Sequence, residues 1–333
     1  MKLISRREFL RGSLLAFAGL YFQHQLPVMA TNKIFKPFRF AFLPCLHLSN
    51  YRFGDWTLLN ESLIILQDTV KLLNSLKLDF VVFGGDLVEN RQKNLDELPV
   101  LLDVIYELQM PYYVIIGDRE ADLLPEYTKE HFMAEFRRQG FINRGQSYWM
   151  LNPVQGLDLI GLDSSVRNQM AGQIAQDQLE WLNCQLSSPT NNFKILSIHH
   201  PLLPEKGLDS FYTTDGFDLK NSEELVSIID RYQNVDLAVS GHRHLNYITS
   251  KNNTHYVSCP SIVTYPCEFR IFEINDRYIK IENIAITYKQ IIDKAKKQLE
   301  NSRYAQQFSD IKPRRLLSLH KGDRQNRDRK LDI

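Results

Sequence analysis

The sequence predicts an α/β protein with two sheets, and three observations predict it. From residue 38 to residue 241, apolar runs of strand length alternate with segments of helical spacing. Beyond 241 the helical spacing stops and four strand-like runs follow one another. Several runs of the first part end in side chains able to bind a metal. The early runs are near-continuously apolar, which predicts a sheet covered on both faces by helices. The later, alternating runs predict a second, more antiparallel sheet.

In order, RFAFLP (39–44) reads as a strand and 58–76 as a helix; DFVVFGGDL (79–87) is a strand, 95–108 a helix, and PYYVIIGD (111–118) a strand. A helix is expected near 126–139, then a strand pair in SYWML and LDLIGLD, and a helix over 174–186. KILSIHH (194–200) is a strand, 222–232 a helix opened by a Ser-x-x-Glu-like cap, and DLAVSG (236–241) a strand. NYITS, THYVSC, FRIFEI and YIKIENIAI supply the late strands. Residues 288–308 read as one polar helix. Residues 312–333, with eight Lys and Arg against three Asp, read as a solvated, partly disordered end. No internal repeat or low-complexity linker interrupts the chain.

Residues 1–30 read as a signal peptide: Lys2, Arg6, Arg7 and Arg11, then an apolar run from Leu14 to Phe22, then Val28-Met29-Ala30 as a cleavage site. Ser5-Arg6-Arg7-Glu8-Phe9-Leu10 resembles the twin-arginine export signal, which implies the twin-arginine translocase as a partner during export. The expected location is then the periplasm or a thylakoid-lumen-like compartment, with anchoring by an uncleaved signal as the alternative. The full chain of 333 residues has a net charge of +1. Without residues 1–30 it carries 36 Lys and Arg against 38 Asp and Glu, so no basic bias points to a nucleic-acid scaffold. No later apolar run is long enough for a membrane helix.

Four cysteines remain, Cys45, Cys184, Cys259 and Cys267. Cys259 and Cys267 could pair in an oxidising compartment, and Cys184 reads as a buried helix residue.

The strand ends carry the chemistry. Cys45 and His47 follow the first strand, Asp86 the second, and Asp118, Arg119 and Glu120 the third; His199 and His200 follow a later one, and His242, Arg243 and His244 the next. In an open α/β sheet, ligands bind beyond the carboxyl ends of the strands. A lone Asp or His there is ordinarily a turn or hydrogen-bonded residue. Five such endings in succession point instead to a shared site.

The order Cys-x-His, Gly-Asp, Gly-Asp-Arg-Glu, His-x-Pro and Gly-His-Arg-His resembles the calcineurin-like metallophosphoesterases over about residues 38–285. The resemblance implies a four-layer α/β/β/α sandwich of two mixed sheets, with a metallophosphoesterase domain over 36–287 and a C-terminal helix and basic tail over 288–333. It implies two divalent or trivalent metal ions. One would take Cys45, His47, Asp86 and His244, and the other Asp86, Asp118, His199 and His242. The implied reaction is hydrolysis of a small phosphate mono- or diester by attack of a metal-bound hydroxide.

Three family positions differ: Cys45 and Asp118 stand where the family has Asp and Asn, and Arg119 where it has its acid-base His. A Cys45 thiolate favours zinc or iron, with manganese as the alternative. Arg119 would serve catalysis by pairing with phosphate oxygens and stabilising transition-state charge, but it cannot protonate a leaving alkoxide. Two further readings follow from these changes: a metal-retaining but weak or inactive binding protein, and a fold whose metal site is lost. His200 and Arg243 are expected to touch substrate phosphate, against a structural histidine and a solvated arginine as their ordinary roles. Tyr212, Tyr265 and the loop 203–217 are expected at the substrate mouth, and Glu120 as a support rather than a ligand.

Overall fold

Runs rich in Phe, Val and Ile leave the chain few soluble conformations other than covered sheet. The computed structural model describes residues 33–49, 54–89, 97–121, 128–205, 217–308 and 314–333. The expected signal peptide, Tyr212 and most of the loop 203–217 lie outside them. Along the chain run β1 (Phe38–Leu43), α1 (Ser62–Ser75), β2 (Phe80–Phe83), α2 (Glu97–Ile105), β3 (Tyr112–Val114), α3 (Asp118–Ala121) and α4 (Lys129–Glu135). Next come β4 (Trp149–Leu151), β5 (Leu157–Gly161), α5 (Gln176–Ser187), β6 (Phe193–Ser197), α6 (Ser222–Tyr232), β7 (Leu237–Ser240), β8 (Tyr247–Lys251) and β9 (Thr254–Ser258). The chain ends with β10 (Glu268–Ile274), β11 (Tyr278–Ala285), α7 (Lys289–Glu300), α8 (Arg303–Phe308), α9 (Arg314–Lys321) and β12 (Arg329–Asp332).

These strands form two six-stranded mixed sheets, ordered β12-β11-β10-β1-β2-β3 and β4-β5-β6-β7-β9-β8. The second sheet shows why they stack. Phe193, Ile195, Leu237, Val239 and Val257 share a core with the first sheet's Phe40, Phe80 and Phe272, while their strand neighbours Leu196, Ala238 and Tyr256 pack with Leu179 and Leu182 of α5 and Leu225 and Ile229 of α6. Successive side chains of a strand point to opposite faces, so one sheet buries both. On the far side of the first sheet, Ile65 and Val70 of α1 and Leu101 and Ile105 of α2 complete the four layers. The expected sandwich is therefore the observed one.

The division of strands differs from the early-and-late split read from the sequence. β8 and β9 extend the second sheet, and β10 to β12 return to the first. Phe40 accounts for part of that return: its ring stacks on Phe80 of β2 at 5.1 Å and on Phe272 of β10 at 4.8 Å, from register-matched positions on either side. Each such pair contributes about 0.5–1.5 kcal/mol beyond its buried area.

Four local expectations are corrected. The 288–308 helix breaks at Ser302, because its hydroxyl accepts from Ala305 N and the Asp55 carboxylate accepts from Arg303 N and Tyr304 N, which starts a new helix. The basic tail folds rather than trailing in solvent: Leu316 is buried in α9 and β12 pairs with β11. At the start of α6, Asn221 is the cap residue, and its amide is taken by Ile174 N and O instead of the helix. Cys184 is exposed, and all four cysteines are free thiols. Among the described residues, no helix is long and apolar enough to cross a membrane.

Candidate metal centre

Beyond β1 and β2 the chains keep pairing as they leave the sheet. Cys45 N donates to Gly85 O at 2.8 Å, and His47 N to Asp86 O at 2.9 Å. Cys45, His47, Asp86, His242 and His244 all have positive φ, five of the nine such non-glycine residues described. A non-glycine residue held there costs of order 1–3 kcal/mol and persists where its surroundings over-determine it. Gly85 permits the crowding. At φ +82, a Cβ there would lie 2.5 Å from Gly117 N and 2.8 Å from His199 Nδ1.

The predicted ligands of both sheets converge in two buried groups. Ligand atoms of Cys45, His47 and His244 lie within 4.8 Å of one another, as do those of Asp86, Asp118, His199 and His242. Asp86 Oδ2 stands 3.7 Å from His47 Nε2 and 3.4 Å from His199 Nε2, so it reaches both groups. Asp118 Oδ1 is 3.1 Å from His199 Nε2 and 3.1 Å from His242 Nδ1.

Surrounding groups aim the rings. His47 Nδ1 donates to Glu89 Oε2 at 2.7 Å, and His199 Nδ1 to Gly84 O at 2.8 Å, which turns each Nε2 lone pair toward the cluster. The His244 Nδ1 partner is the Thr264 hydroxyl at 3.3 Å. Glu120 acts as the expected support: its carboxylate accepts from Gly117 N, Asp86 N and Leu87 N at 2.7–2.9 Å. Burial and then the Asp86 charge push its pKa up to about 7.

Against the burial penalty, hydrogen bonds with His199 and His242 hold Asp118 well below the usual carboxylate range. Burial and the Asp86 charge push the Cys45 thiol well up. Burial and neighbouring His47 push His244 well down. His244 resists protonation and Asp86 and Asp118 resist neutralisation, whereas His199, against its burial, is pushed well above its ordinary value by the Asp86 and Asp118 carboxylates. A cation held among these donors would take the place of that proton. Asp118 Oδ2 and His242 Nε2 are buried with no hydrogen-bond partner among the described residues, which also fits a site completed by a ligand. The donor set of one thiol, four imidazoles and two carboxylates suits zinc or iron.

The other predicted residues divide. Arg119 N donates to Asp86 Oδ1 at 2.9 Å, and its guanidinium Nε lies 3.8 Å from Asp118 Oδ2, with the side chain 15% exposed at the rim. His200 is fully buried with its ring nitrogens at Ser164 Oγ (2.7 Å) and Met170 O (2.8 Å), the geometry of the structural alternative. Arg243 is neither solvated nor aimed into the ligand cluster: it is 6% exposed and ion-paired with Glu205 and Asp218. Tyr265 packs with the C-terminal helices. Sequence reasoning missed Glu89, three residues past Asp86, and Trp56, whose ring lies 4.8 Å from that of His244.

Comparison with known proteins agrees with this geometry. The family model for calcineurin-like phosphoesterase matches residues 38–246. A 3',5'-cyclic-nucleotide phosphodiesterase of Nostoc sp. is 29% identical over 185 residues, 56% of this chain and 63% of that protein. A protein of Arcobacter nitrofigilis bearing the name glycerophosphodiester phosphodiesterase GpdQ, qualified there as probable, is 26% identical over 186 residues, 54% of this chain and 62% of its own length. The matched stretch thus spans less than two thirds of either relative. A solved dimetal phosphatase of Danio rerio shares the fold, with a TM-score of 0.62 at 14% identity, covering 76% of this chain and all of that one.

Proposed function

The chain belongs to the calcineurin-like phosphoesterase family, and on that premise we propose that it is an exported hydrolase of phosphodiesters with a two-metal site. The observation that carries the proposal is Asp86 Oδ2, which faces His47 of one donor group and His199 of the other. Cys45, His47, Asp86 and His244 would hold one ion, and Asp86, Asp118, His199 and His242 the second. Such ions polarise a phosphate and acidify a water for attack on phosphorus. The names of the relatives favour a diester, cyclic or open, over a monoester.

The chain's own residues supply the rest. Glu89 and Gly84 keep the His47 and His199 rings in one orientation, and Glu120 holds the Asp86 turn in place. Arg119, at the rim beside Asp118, can pair bidentately with two non-bridging phosphate oxygens and stabilise charge as it builds on them. Because arginine stays protonated, the leaving oxygen must depart without a proton from this side chain.

The test is an assay of metal-replete protein on bis(p-nitrophenyl) phosphate, p-nitrophenyl phosphate and 3',5'-cyclic AMP. We expect turnover of the diesters, falling at least about 10²-fold in His242→Ala. A metal-loaded protein that turns over none of them would favour the binding-protein reading. Export is tested separately by replacing Arg6 and Arg7 with Lys, which should retain the protein in the cytoplasm; unchanged export would refute the twin-arginine assignment.

A further inference from the structure

The end of the chain folds back onto the loop that carries His242 and His244. Two residues past His244, the Asn246 side chain is buried and fully committed. Its Oδ1 accepts from Arg270 Nε at 3.1 Å, Arg270 Nη2 at 2.7 Å and Asn283 Nδ2 at 2.5 Å. Its Nδ2 donates to His320 O at 3.1 Å, at the end of α9. Arg270 is fully buried, and its Nη2 donates again, to Asn326 O. On the other side of the loop, Asn326 Oδ1 accepts from Ile248 N at 2.8 Å. The C-terminal segment therefore grips the chain at 246, through His320 O and the buried Arg270 guanidinium, and at 248, at the start of β8, through the Asn326 side chain.

The approach is close enough to demand glycine. Gly322 has φ +73, and a Cβ on it would lie 2.7 Å from Asn246 Cβ and 3.0 Å from Asn246 O. The His320 ring, also fully buried, meets the edge of Trp56 at 5.7 Å. Trp56 stacks on Tyr304 at 4.6 Å and faces His244 at 4.8 Å. Side chains of the C-terminal helices thus support the wall beside His244, and the Asn246 amide fixes the backbone next to it. Buried polar networks act as units, since removing one partner leaves the others unsatisfied.

We propose that the segment Arg314–Asp332 is a clamp that sets the positions of His242 and His244, with Arg270 as the positioning residue that joins it to Asn246. The proposal rests on the metal-binding reading of those histidines. Partners that orient ligands typically change metal affinity about 10–100-fold when lost.

The test titrates the full chain with cobalt(II) and zinc(II) against a chromophoric chelator, for the unmodified protein, Gly322→Ala, Arg270→Lys and Gly145→Ala. Gly145 is a matched control: its φ is +80, yet a Cβ there meets nothing within 4 Å. We expect Gly322→Ala and Arg270→Lys to weaken at least one of two binding steps by about 10–100-fold, with Gly145→Ala within twofold. Unchanged affinities in both variants, or an equal loss in the control, overturn the clamp. Failure of the metal-binding reading looks different, because the unmodified protein would then bind neither ion. Hydrogen exchange on the unmodified protein decides the matter without any variant: Leu245–Ile248 should open together with Lys321–Asn326. Protection of the loop while the segment exchanges would overturn the proposal.

Discussion

His47 Nε2 and His244 Nε2 lie 3.1 Å apart, buried, although the two residues are 197 positions apart in sequence. Each ring has its other nitrogen engaged, His47 with Glu89 and His244 with Thr264. Nitrogens at that distance share either a proton or a cation. Burial and the neighbouring His47 hold His244 well below its ordinary pKa, which makes a proton the poorer occupant. Metal should therefore stabilise the fold. At a free metal concentration of 100 Kd, each ion adds about 2.7 kcal/mol. Calorimetry before and after chelation should show a clear fall in Tm that zinc restores; an unchanged Tm would refute a resident metal.

Cys45 gives metal binding a pH dependence of known sign. Burial, with Asp86 next, raises its thiol pKa, so the metal-free protein holds the proton at neutral pH. Binding to sulfur must release that proton, so affinity at that site should rise as pH rises, by about tenfold per unit for one proton. Cys45→Asp should flatten this slope between pH 6 and pH 8 and remove the thiolate charge-transfer band of the cobalt form. The same slope in wild type and variant would show that Cys45 does not ligate.

Arg119 should divide substrates by leaving group. It lies beside Asp118, with its own backbone nitrogen donating to Asp86, which places it next to two of the candidate ligands. Without general-acid help, alkyl and ribose esters should lag behind nitrophenyl esters by an extra factor of about 10²–10⁴. Arg119→His should raise the former selectively. A uniform change across leaving groups, or none, would remove Arg119 from the proton inventory.

The six-residue strand Phe38–Leu43 and the His and Asp just past the strand ends were legible because a near-continuous apolar run and strand-end placement are local signals. All seven predicted ligands fall into the two donor groups. The sheet assignment of β10 was not legible, because pairing Phe272 with Phe40 is a contact between residues 232 positions apart. His200 and Arg243 looked like phosphate ligands by sequence adjacency. Their partners Ser164, Met170, Glu205 and Asp218 come from elsewhere in the chain, and nothing local announces them. The tail misled for a similar reason: its basic composition masks Leu316, Leu317 and Leu331, which are buried against earlier elements.

Glu120→Gln should cost both stability and metal. The carboxylate accepts from four backbone nitrogens, and an amide would turn an NH2 group toward at least one of them. A buried donor left unsatisfied costs about 1–3 kcal/mol. Because those nitrogens belong to Gly117, Asp86, Leu87 and Val88, the Asp86 turn should lose its position as well. Denaturant unfolding should show the first effect and chelator competition the second. A fully stable variant with normal affinity would relieve Glu120 of its supporting role.

His320 makes the C-terminal clamp sensitive to acid. Burial lowers its pKa from 6.5 to about 3, against a weaker upward pull from the backbone of Tyr265 and His244. Its folded pKa lies below its unfolded one, so between about pH 6.5 and pH 3 the unfolded chain binds the additional proton. The contribution is complete above the upper limit and is lost as pH falls through that window, at about 1.4 kcal/mol per unit. His200 and His244 are lowered in the same direction and share the acid limb, so replacing His320 should flatten that limb without abolishing it. Urea unfolding of metal-free protein at pH 4, 5, 6 and 7 compares wild type with His320→Leu. The difference in stability should change steadily with pH in favour of the variant as acid is added. A constant offset across the four pH values would mean that His320 is already solvated and that the clamp is open in the metal-free protein.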